Sequence, residues 1–279
     1  RWNLVTGVQT CALPISTAIE HHSVLETIDY LVQHFGFEAT IIQPVNQEIT
    51  AQQIQEALRD DTILVSTMYA NNETGSLLPI AEIGHILKDH PAAYHVDAVQ
   101  AIGKLPIHPE ELGIDFLSAS AHKFHGPKGV GFIYASTVDF DSYLHGGDQE
   151  QKKRAGTENL AAIVGMVAAL KEDLNYQLEH YQKLSALKSA FLEEIAGLEY
   201  YLNESNHQLP YVVNIGFPGQ KNDLLLLRLD LEGISISTGS ACTAGIVQTS
   251  HVLEAFYGPD SPRLKESVRI SLSPLNTED

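Results

Sequence analysis

The sequence predicts an α/β fold in which a mostly parallel sheet, covered by helices on both faces, is followed by a smaller α+β unit. Three observations favour this fold. Runs rich in β-forming residues alternate with helical patterns over the first half of the chain, a long helical stretch follows, and short strands and helices complete the chain. With 279 residues, 44% hydrophobic and 19% charged, the chain is large enough for one large or two medium globular domains.

The elements of the first half follow from hydrophobic periodicity and from turn residues. The segment 23–36 has helical apolar spacing and ends in glycine, and the segment 79–90 is a helix opened by proline. Apolar, β-rich runs predict strands at 38–44, 62–69, 92–98, 115–120 and 129–136. Because helices and loops separate most of these strands, we expect most of them to be parallel.

The second half begins with a helical region from Glu158 to about Leu198. We place a domain boundary near Gln177, inside this region, so that one long helix joins a large domain, 17–177, to a small domain, 178–279. The small domain is predicted to be α+β from the short segments 211–217, 222–230, 234–237, 250–258 and 267–273.

Residues 1–15 are expected to lie outside the natural fold. Val5–Ile15, VTGVQTCALPI, reads codon for codon as a translated sequencing adapter, and its apolar stretch is too short for a signal peptide. We therefore leave Cys11 aside. We expect the natural protein to begin upstream of this chain, and its C-terminal end to be cut as well.

Composition excludes several classes of function. The chain has 17 Lys and Arg against 35 Asp and Glu, which gives a net charge of −18. This charge argues against a surface that binds nucleic acid or anionic membranes, and solubility alone would explain it. No apolar run reaches the length of a membrane span. Two distant cysteines do not suggest a disulfide framework, so we expect a reducing, cytoplasmic location.

Polar side chains follow three predicted strands directly, where the carboxyl ends of parallel strands bind ligands. Lys123 is suited to imine formation, and Asp97, after another strand, is suited to hold a protonated heterocyclic nitrogen, which is the pair that pyridoxal phosphate requires. A surface lysine and a buried, satisfied aspartate remain the alternative. The strand-end residues are Asn71, Asn72 and Glu73, then Asp97 and Gln100, then Ser120, His122 and Lys123.

Two other ligand classes are not favoured. Gly126–Gly131, GPKGVG, leads into a strand instead of joining a strand to a helix, so it does not predict a dinucleotide site. The 13 histidines include EHH and HKFH, but no cysteine lies near them, and we expect no metal site. The glycine-rich segment Gly146–Asn159 could hold a phosphate at a helix start, although a surface loop is the preferred interpretation.

Cys242 lies in Ser237–Ile246, STGSACTAGI, among small and flexible residues. Free cysteine is often buried as a small apolar residue, whereas these neighbours suit an exposed loop. This segment alone leaves a core cysteine and a reactive thiol equally open.

Taken together, residues 17–279 resemble the pyridoxal-phosphate-dependent cysteine desulfurases of the class V aminotransferase family. The motifs that carry the resemblance occur in the family's order: IEHHSVLET, DTILVSTMYANNETGSLLPI, YHVDAVQAIGKLPI, SASAHKFHGPKGVGFIY, GGDQEQKKRAGTEN, STGSACTAG and SVRISLS. The resemblance implies the fold type I architecture of pyridoxal-phosphate-dependent transferases.

The resemblance also implies a role for each matching residue. Lys123 would be the Schiff-base lysine, Asp97 would pair with the pyridinium nitrogen, and Gln100 would bind the phenolic oxygen. His21 would stack on the ring and help to deprotonate the thiol of Cys242. The remaining contacts would be Ser120 and His122 to the phosphate, Thr157 to the phosphate of the partner subunit in a homodimer, and Asn72 and Arg269 to the substrate carboxylate.

For Cys242 the resemblance implies the reactive alternative. Its thiolate would take the sulfur of L-cysteine as a persulfide, leaving alanine, and pass it to an acceptor such as an iron–sulfur scaffold protein or a transfer-RNA thiolation enzyme. SACTAG is similar to the subgroup with a long mobile cysteine loop. Other members of the same family, a selenocysteine lyase or a small-substrate transaminase, and a non-catalytic chain that only folds or binds partners, remain alternatives.

The chain departs from the family's pattern at its N-terminal end. The family's N-terminal stretch includes a glycine–alanine–threonine segment that binds the cofactor phosphate, and this chain lacks it. We therefore expect weak cofactor binding, because Ser120 and His122 would lack those partners.

Overall fold

A computed structural model describes residues 13–136, 139–239 and 249–278. Its larger sheet has six strands in the order β2-β1-β3-β4-β5-β6, of which only β6 is antiparallel to its neighbour. The expected α/β fold with a mostly parallel sheet is confirmed. The strands are β1 Leu13–Thr17, β2 Thr40–Ile42, β3 Thr62–Met68, β4 Ala93–Asp97, β5 Phe116–Ser120 and β6 Gly131–Ala135.

The first strand corrects the expected start of the large domain at Thr17. β1 begins at Leu13 and lies inside the sheet, between β2 and β3, with all five of its residues buried. Proline rarely occurs in a central strand, and here the pairing of β1 with β3 shifts register between Leu13 and Pro14. The adapter interpretation of residues 1–15 stays a prediction.

Helices surround this sheet and connect it to the rest of the chain. The helix α1 ends as expected at Gly36, whose φ of 70° is the left-handed conformation that glycine adopts most readily. The 35-residue α4 includes Gln177, and the domain division at that residue stays a prediction. The helices are α1 His22–Phe35, α2 Ala51–Ala57, α3 Ile80–Leu87, α4 Leu160–Glu194, α5 Asn222–Leu231, α6 His251–Tyr257 and α7 Arg263–Glu266.

The smaller sheet is antiparallel and has three strands in the order β7-β8-β9, namely β7 Tyr201–Leu202, β8 Val212–Gly216 and β9 Ser267–Ser271. The segment 234–237, expected among the short elements of this unit, is no strand of its own. Ser237 makes an isolated antiparallel bridge with Arg269 of β9, because only that pair exchanges backbone hydrogen bonds.

The loop after β3 joins the two sheets. Gly75 has a φ of 77°, and a Cβ placed on it would lie 3.0 Å from the carbonyl oxygen of Leu209, so the close approach of the loop to this segment depends on glycine. Two backbone hydrogen bonds, Leu209 N to Gly75 O and Leu77 N to His207 O, hold the contact. The carboxyl ends of β3, β4 and β5 thereby come close to the start of β8.

Within these described ranges, no helix is both long and apolar enough to cross a membrane. The same residues contain no group of three or more His, Cys, Asp or Glu side chains arranged to hold a metal ion.

Candidate functional site

A cavity opens where the larger sheet meets the segments around β8 and β9. It encloses about 680 Å³, part of which is open to solvent. Five of the predicted site residues line it, namely Asn72, Gln100, His122, Lys123 and Arg269. The side chains of Lys104, Lys123 and Arg269 give the wall a cationic character in a chain whose net charge is −18. Such a wall favours a ligand that carries anionic groups.

Asn72 and Arg269 are brought together from the two sheets. Arg269 Nη1 donates a hydrogen bond to the backbone carbonyl oxygen of Asn72 at 2.9 Å. The side-chain Oδ1 of Asn72 is buried and has no hydrogen-bond partner among the described residues. A buried amide oxygen without a partner is costly, so this atom is suited to accept a hydrogen bond from a ligand.

The turn after β4 carries Asp97 and Gln100. Asp97 is the last residue of β4, is 9% exposed, and accepts a hydrogen bond from the backbone N–H of Val99 at 2.9 Å. Gln100 Oε1 accepts from Lys104 Nζ at 3.4 Å. Gln100 lines the cavity, whereas Asp97, the last residue of β4, is not among its lining residues.

Ser120, His122 and Lys123 end β5 and begin the next turn. A short 3₁₀ helix, Ala121–Lys123, follows Ser120 and turns Lys123 into the cavity wall. Ser120 Oγ and His122 Nδ1 lie 2.9 Å apart. Burial, with the charges of Lys123 and Lys128, lowers the pKa of His122 below its usual range, so His122 is neutral at pH 7.

His21 caps the N-terminus of α1. Its Nδ1 accepts the backbone N–H of Ser23 at 3.1 Å, and Ser23 Oγ lies 2.8 Å from the same nitrogen. Because Nδ1 accepts from Ser23, Nε2 is the ring nitrogen left to make a further hydrogen bond. His21 does not line the cavity.

Thr157 is exposed and lies two residues before Asn159, the N-cap of α4. It does not line the cavity of its own chain. The segment Gly146–Asn159 that ends there is mostly exposed and contains a 3₁₀ turn at Glu150–Lys152, which agrees with the preferred interpretation as a surface loop.

Cys242 lies outside the described residues, but the residues that flank its segment are bound to the site. Before it, Ser237 and Arg269 exchange two backbone hydrogen bonds, at 3.0 and 2.7 Å. After it, Ser250 Oγ donates to Glu73 Oε2, and His251 Nε2 lies 2.8 Å from the carbonyl oxygen of Glu20. Both flanks therefore contact residues that adjoin the proposed site.

Sequence reasoning missed several residues of this region. Lys104, His125 and Tyr211 line the cavity, and Glu20 is fully buried at the ends of β1 and β3. The spacing of Lys104 four residues after Gln100 was a usable signal, because residues four apart meet on one side of a helical turn. No sequence signal marked Tyr211, which reaches the cavity only through the contact between the two sheets.

Glu20 is an acid held neutral by its surroundings. Its Oε1 accepts hydrogen bonds from Thr17 Oγ1 at 2.7 Å and from the backbone N–H of Met68 at 3.0 Å. Burial raises the pKa of Glu20 to about 8, and the charge of Asp97 adds to the rise while these two hydrogen bonds oppose it. Met68 is paired with Asp97 across β3 and β4, so Glu20 lies beside the end of the strand that carries Asp97.

Comparison with known proteins was made on sequence and on structure. The family model described as aminotransferase class-V matches residues 8–279. The chain is 48% identical over 270 residues, 95% of its length and 71% of the relative, to "Putative cysteine desulfurase IscS 1" of Bacillus subtilis (strain 168). It is 42% identical over 251 residues, 88% of its length and 63% of the relative, to "Cysteine desulfurase IscS" of Dictyoglomus turgidum.

Among solved structures, a "NIFS-LIKE PROTEIN" superposes with a TM-score of 0.88 at 34% identity, over 97% of this chain and 72% of the other. The family model covers nearly the whole chain, and the fold agrees with the solved structure. The chain therefore belongs to the class V aminotransferase family, within which its relatives are named cysteine desulfurases.

Proposed function

We propose that this protein is a pyridoxal-phosphate-dependent cysteine desulfurase, which removes sulfur from L-cysteine, leaves alanine, and carries the sulfur as a persulfide on Cys242. The observation that carries the proposal is the cavity that unites Lys123, Gln100, Asn72 and Arg269 in a member of this family. The chain spans 71% and 63% of the two relatives, so the activity of the whole protein is part of the proposal.

The residues present fit the proposed cofactor by their chemistry. Pyridoxal phosphate carries a phosphate, a phenolic oxygen and an aldehyde, and the wall offers cationic groups, an amide and a lysine amine. The cofactor, when bound, supplies an electron sink for the pair left when the substrate Cα loses its proton. Lys123 would hold it covalently, Asp97 would hold the ring nitrogen, and Gln100 the phenolic oxygen. Ser120 and neutral His122 would contact the phosphate, and His21 the ring.

Each protein group then has a task toward the substrate. Arg269 and Asn72 would bind the carboxylate of L-cysteine, and Nζ of Lys123 would accept the proton of Cα. The thiolate of Cys242 would attack the substrate sulfur, so that a sulfur–sulfur bond forms while the bond from sulfur to Cβ breaks and its electron pair stays with the carbon fragment. Protonation of that fragment at Cβ and return of the proton from Lys123 to Cα give alanine.

The anchored flanks support a role for Cys242 at this cavity. Cys242 is five residues after Ser237, which is bridged to Arg269. Five residues span at most about 18 Å when fully extended, so the thiol is tethered within reach of the cavity that Arg269 lines.

A homodimer is part of the proposal and is supported by α4. Its surface carries an exposed apolar stripe at Leu160, Val164, Val167, Leu174 and Leu178 that begins three residues after Thr157. A second copy of the chain on this stripe would bring its own Thr157 toward the first copy, as the role proposed for Thr157 requires. The acceptor of the sulfur is proposed to be an iron–sulfur scaffold protein or a transfer-RNA thiolation enzyme. A cytoplasmic location would keep the thiol of Cys242 reduced.

The experiment that tests this function is the absorption spectrum of the chain with pyridoxal phosphate, before and after addition of L-cysteine. We expect a visible band that is absent in Lys123→Ala and that changes with cysteine in the parent chain. Absence of the band would overturn cofactor binding by this chain.

A second measurement separates the proposed activity from transamination. Persulfide on the protein, trapped with a thiol-reactive label after incubation with L-cysteine, is expected in the parent chain and absent in Cys242→Ala. A Cys242→Ala chain that still forms protein-bound persulfide would overturn the role of Cys242. Conversion of amino acids to oxo acids without any persulfide in the parent chain would favour a transaminase.

A further inference from the structure

Lys104 lines the cavity but has no part in the chemistry proposed above. It lies on the turn after β4, where the backbone N–H groups of Lys104 and Leu105 both bond to the carbonyl of Ala101 at 2.9 Å. This helical turn places Lys104 on the same side as Gln100, four residues earlier.

Two contacts hold the side chain of Lys104. Its Nζ donates to Gln100 Oε1 at 3.4 Å and lies 5.1 Å from the centre of the Tyr211 ring. Among the described residues, no carboxylate lies within 4.0 Å of it. The ammonium is therefore held by an amide oxygen and an aromatic face. These contacts fix its position without a carboxylate that would cancel its charge.

The surroundings leave Lys104 charged at neutral pH. Burial, followed by the charge of Lys123, lowers the pKa of Lys104 to about 8, and Asp173 of α4 opposes the shift. Gly103 lets the turn approach α4: its φ is 77°, and a Cβ there would lie 3.1 Å from Cβ of Asp173. Asp173 is itself bound by His125 at 3.2 Å. Tyr211 stays neutral, because burial raises its pKa to about 12.

The contact decides which way the amide of Gln100 faces. A lysine ammonium has three hydrogen-bond donors and no acceptor, so the amide atom that it touches must be the oxygen. With Oε1 engaged by Lys104, the Nε2 group of Gln100 is left to donate. Without Lys104, the amide is free to turn and to present its oxygen, which repels an anionic oxygen of a ligand.

We propose that Lys104 is a positioning residue that holds the side-chain amide of Gln100 with its nitrogen available to the ligand, and thereby sets the hydrogen bond to the phenolic oxygen of pyridoxal phosphate. The inference rests on the proposed function for the identity of the ligand, and on the Lys104–Gln100 contact for the orientation.

The orientation is tested without cofactor. Side-chain amide signals of ¹⁵N-glutamine-labelled protein are recorded by NMR as a function of pH, and the Gln100 signal is assigned by its loss in Gln100→Leu. We expect this signal to titrate near the pKa of Lys104 and to become independent of pH between 7 and 9 in Lys104→Met, while Lys265→Met, a change of an exposed lysine, leaves it unaltered. A Gln100 signal that ignores Lys104 overturns the positioning role, whatever the chain binds.

The consequence for the ligand is tested with two cofactors, pyridoxal phosphate and 3-deoxypyridoxal phosphate, in which hydrogen replaces the phenolic hydroxyl. In Lys104→Met we expect the dissociation constant of pyridoxal phosphate to rise about tenfold, and that of the deoxy analogue to change less than about twofold. The pH at which the visible band of bound pyridoxal phosphate changes should also differ between Lys104→Met and the parent chain. Equal weakening for both compounds would indicate a structural role only and overturn the inference.

Discussion

Asn72 and Arg269 are 197 positions apart in the sequence and are joined by a hydrogen bond of 2.9 Å from Arg269 Nη1 to the carbonyl oxygen of Asn72. The bond links the loop after β3 of the larger sheet to β9 of the smaller one. The bond also holds the guanidinium group of Arg269 at the cavity wall. A planar guanidinium can donate two parallel hydrogen bonds to a carboxylate.

Arg269→Lys is expected to raise KM for L-cysteine about tenfold, because an ammonium keeps the charge but cannot both hold Asn72 O and offer two parallel donors to a carboxylate. The measurement is the initial rate of persulfide formation as a function of L-cysteine concentration. Affinity for pyridoxal phosphate, followed by its visible band, should stay within about twofold. A lower kcat with unchanged KM would contradict the assignment of Arg269 to the substrate carboxylate.

Glu20→Gln is expected to stabilise the protein at pH 8 and to have a much smaller effect at pH 5. The pKa of Glu20 is raised from 4.5 to about 8 on folding, so its contribution to the free energy of unfolding is complete below pH 4.5 and is lost as the pH rises toward 8. Glutamine is neutral in the folded and in the unfolded state. The free energy of unfolding of Glu20→Gln should therefore exceed that of the parent by an amount that grows between pH 4.5 and 8, to the order of a few kcal/mol.

Urea unfolding at a series of pH values measures this difference. Glu56→Gln, a change of an exposed glutamate on α2, is the matched control and should show no comparable trend. If the Glu20→Gln chain and the parent lose stability in parallel between pH 5 and 8, Glu20 is not the buried neutral acid described above.

Gly84→Ala is expected to destabilise the protein although alanine is the better helix former. A Cβ at this position of α3 would lie 1.9 Å from the carbonyl oxygen of Leu112, and a backbone group cannot move away cheaply. The gain in helix propensity is about 1 kcal/mol, whereas overpacking costs about 1–3 kcal/mol and more against backbone. Denaturant unfolding should therefore show a net loss of about 2 kcal/mol.

Gly197→Ala serves as its control, because nothing lies within 4 Å of a Cβ there. Its free energy of unfolding should stay within about 0.5 kcal/mol of the parent. A Gly84→Ala chain as stable as this control would mean that α3 and the segment of Leu112 are not packed as described.

Val164→Glu is expected to convert the proposed homodimer into a monomer. Val164 is 68% exposed on the apolar stripe of α4, and a charge buried in a contact between two copies would be unpaired. Sedimentation velocity at micromolar concentration measures the change. Leu231→Glu, at a residue of α5 that is 77% exposed, should leave the mass unaltered. A parent chain that sediments as a monomer at all concentrations would remove the support that the stripe gives to the homodimer.

Local patterns predicted most regular elements correctly. The helix ending at Gly36 and the strands β2 to β6 follow from short-range spacing and turn residues. The helix α2 was missed although its capping box, Thr50 with Gln53, was visible in the sequence. The segment 234–237, expected as one of the short elements of the small unit, forms no regular element and makes one isolated bridge, from Ser237 to Arg269.

For the site, the sequence by itself determined which groups follow the strands, since the carboxyl ends of parallel strands meet at one edge whatever the loops do. Asp97, Gln100 and Lys123 were placed in this way, and the family was recognisable from the motifs around them.

Only the tertiary structure decided the contacts made across the chain. It joined Arg269 to Asn72, brought Lys104 under the ring of Tyr211, and buried Glu20 deeply enough to keep it protonated. The physical reason is that hydrogen bonding between distant segments and the desolvation of a charge depend on which surfaces pack together, and residue spacing along the chain does not contain that information.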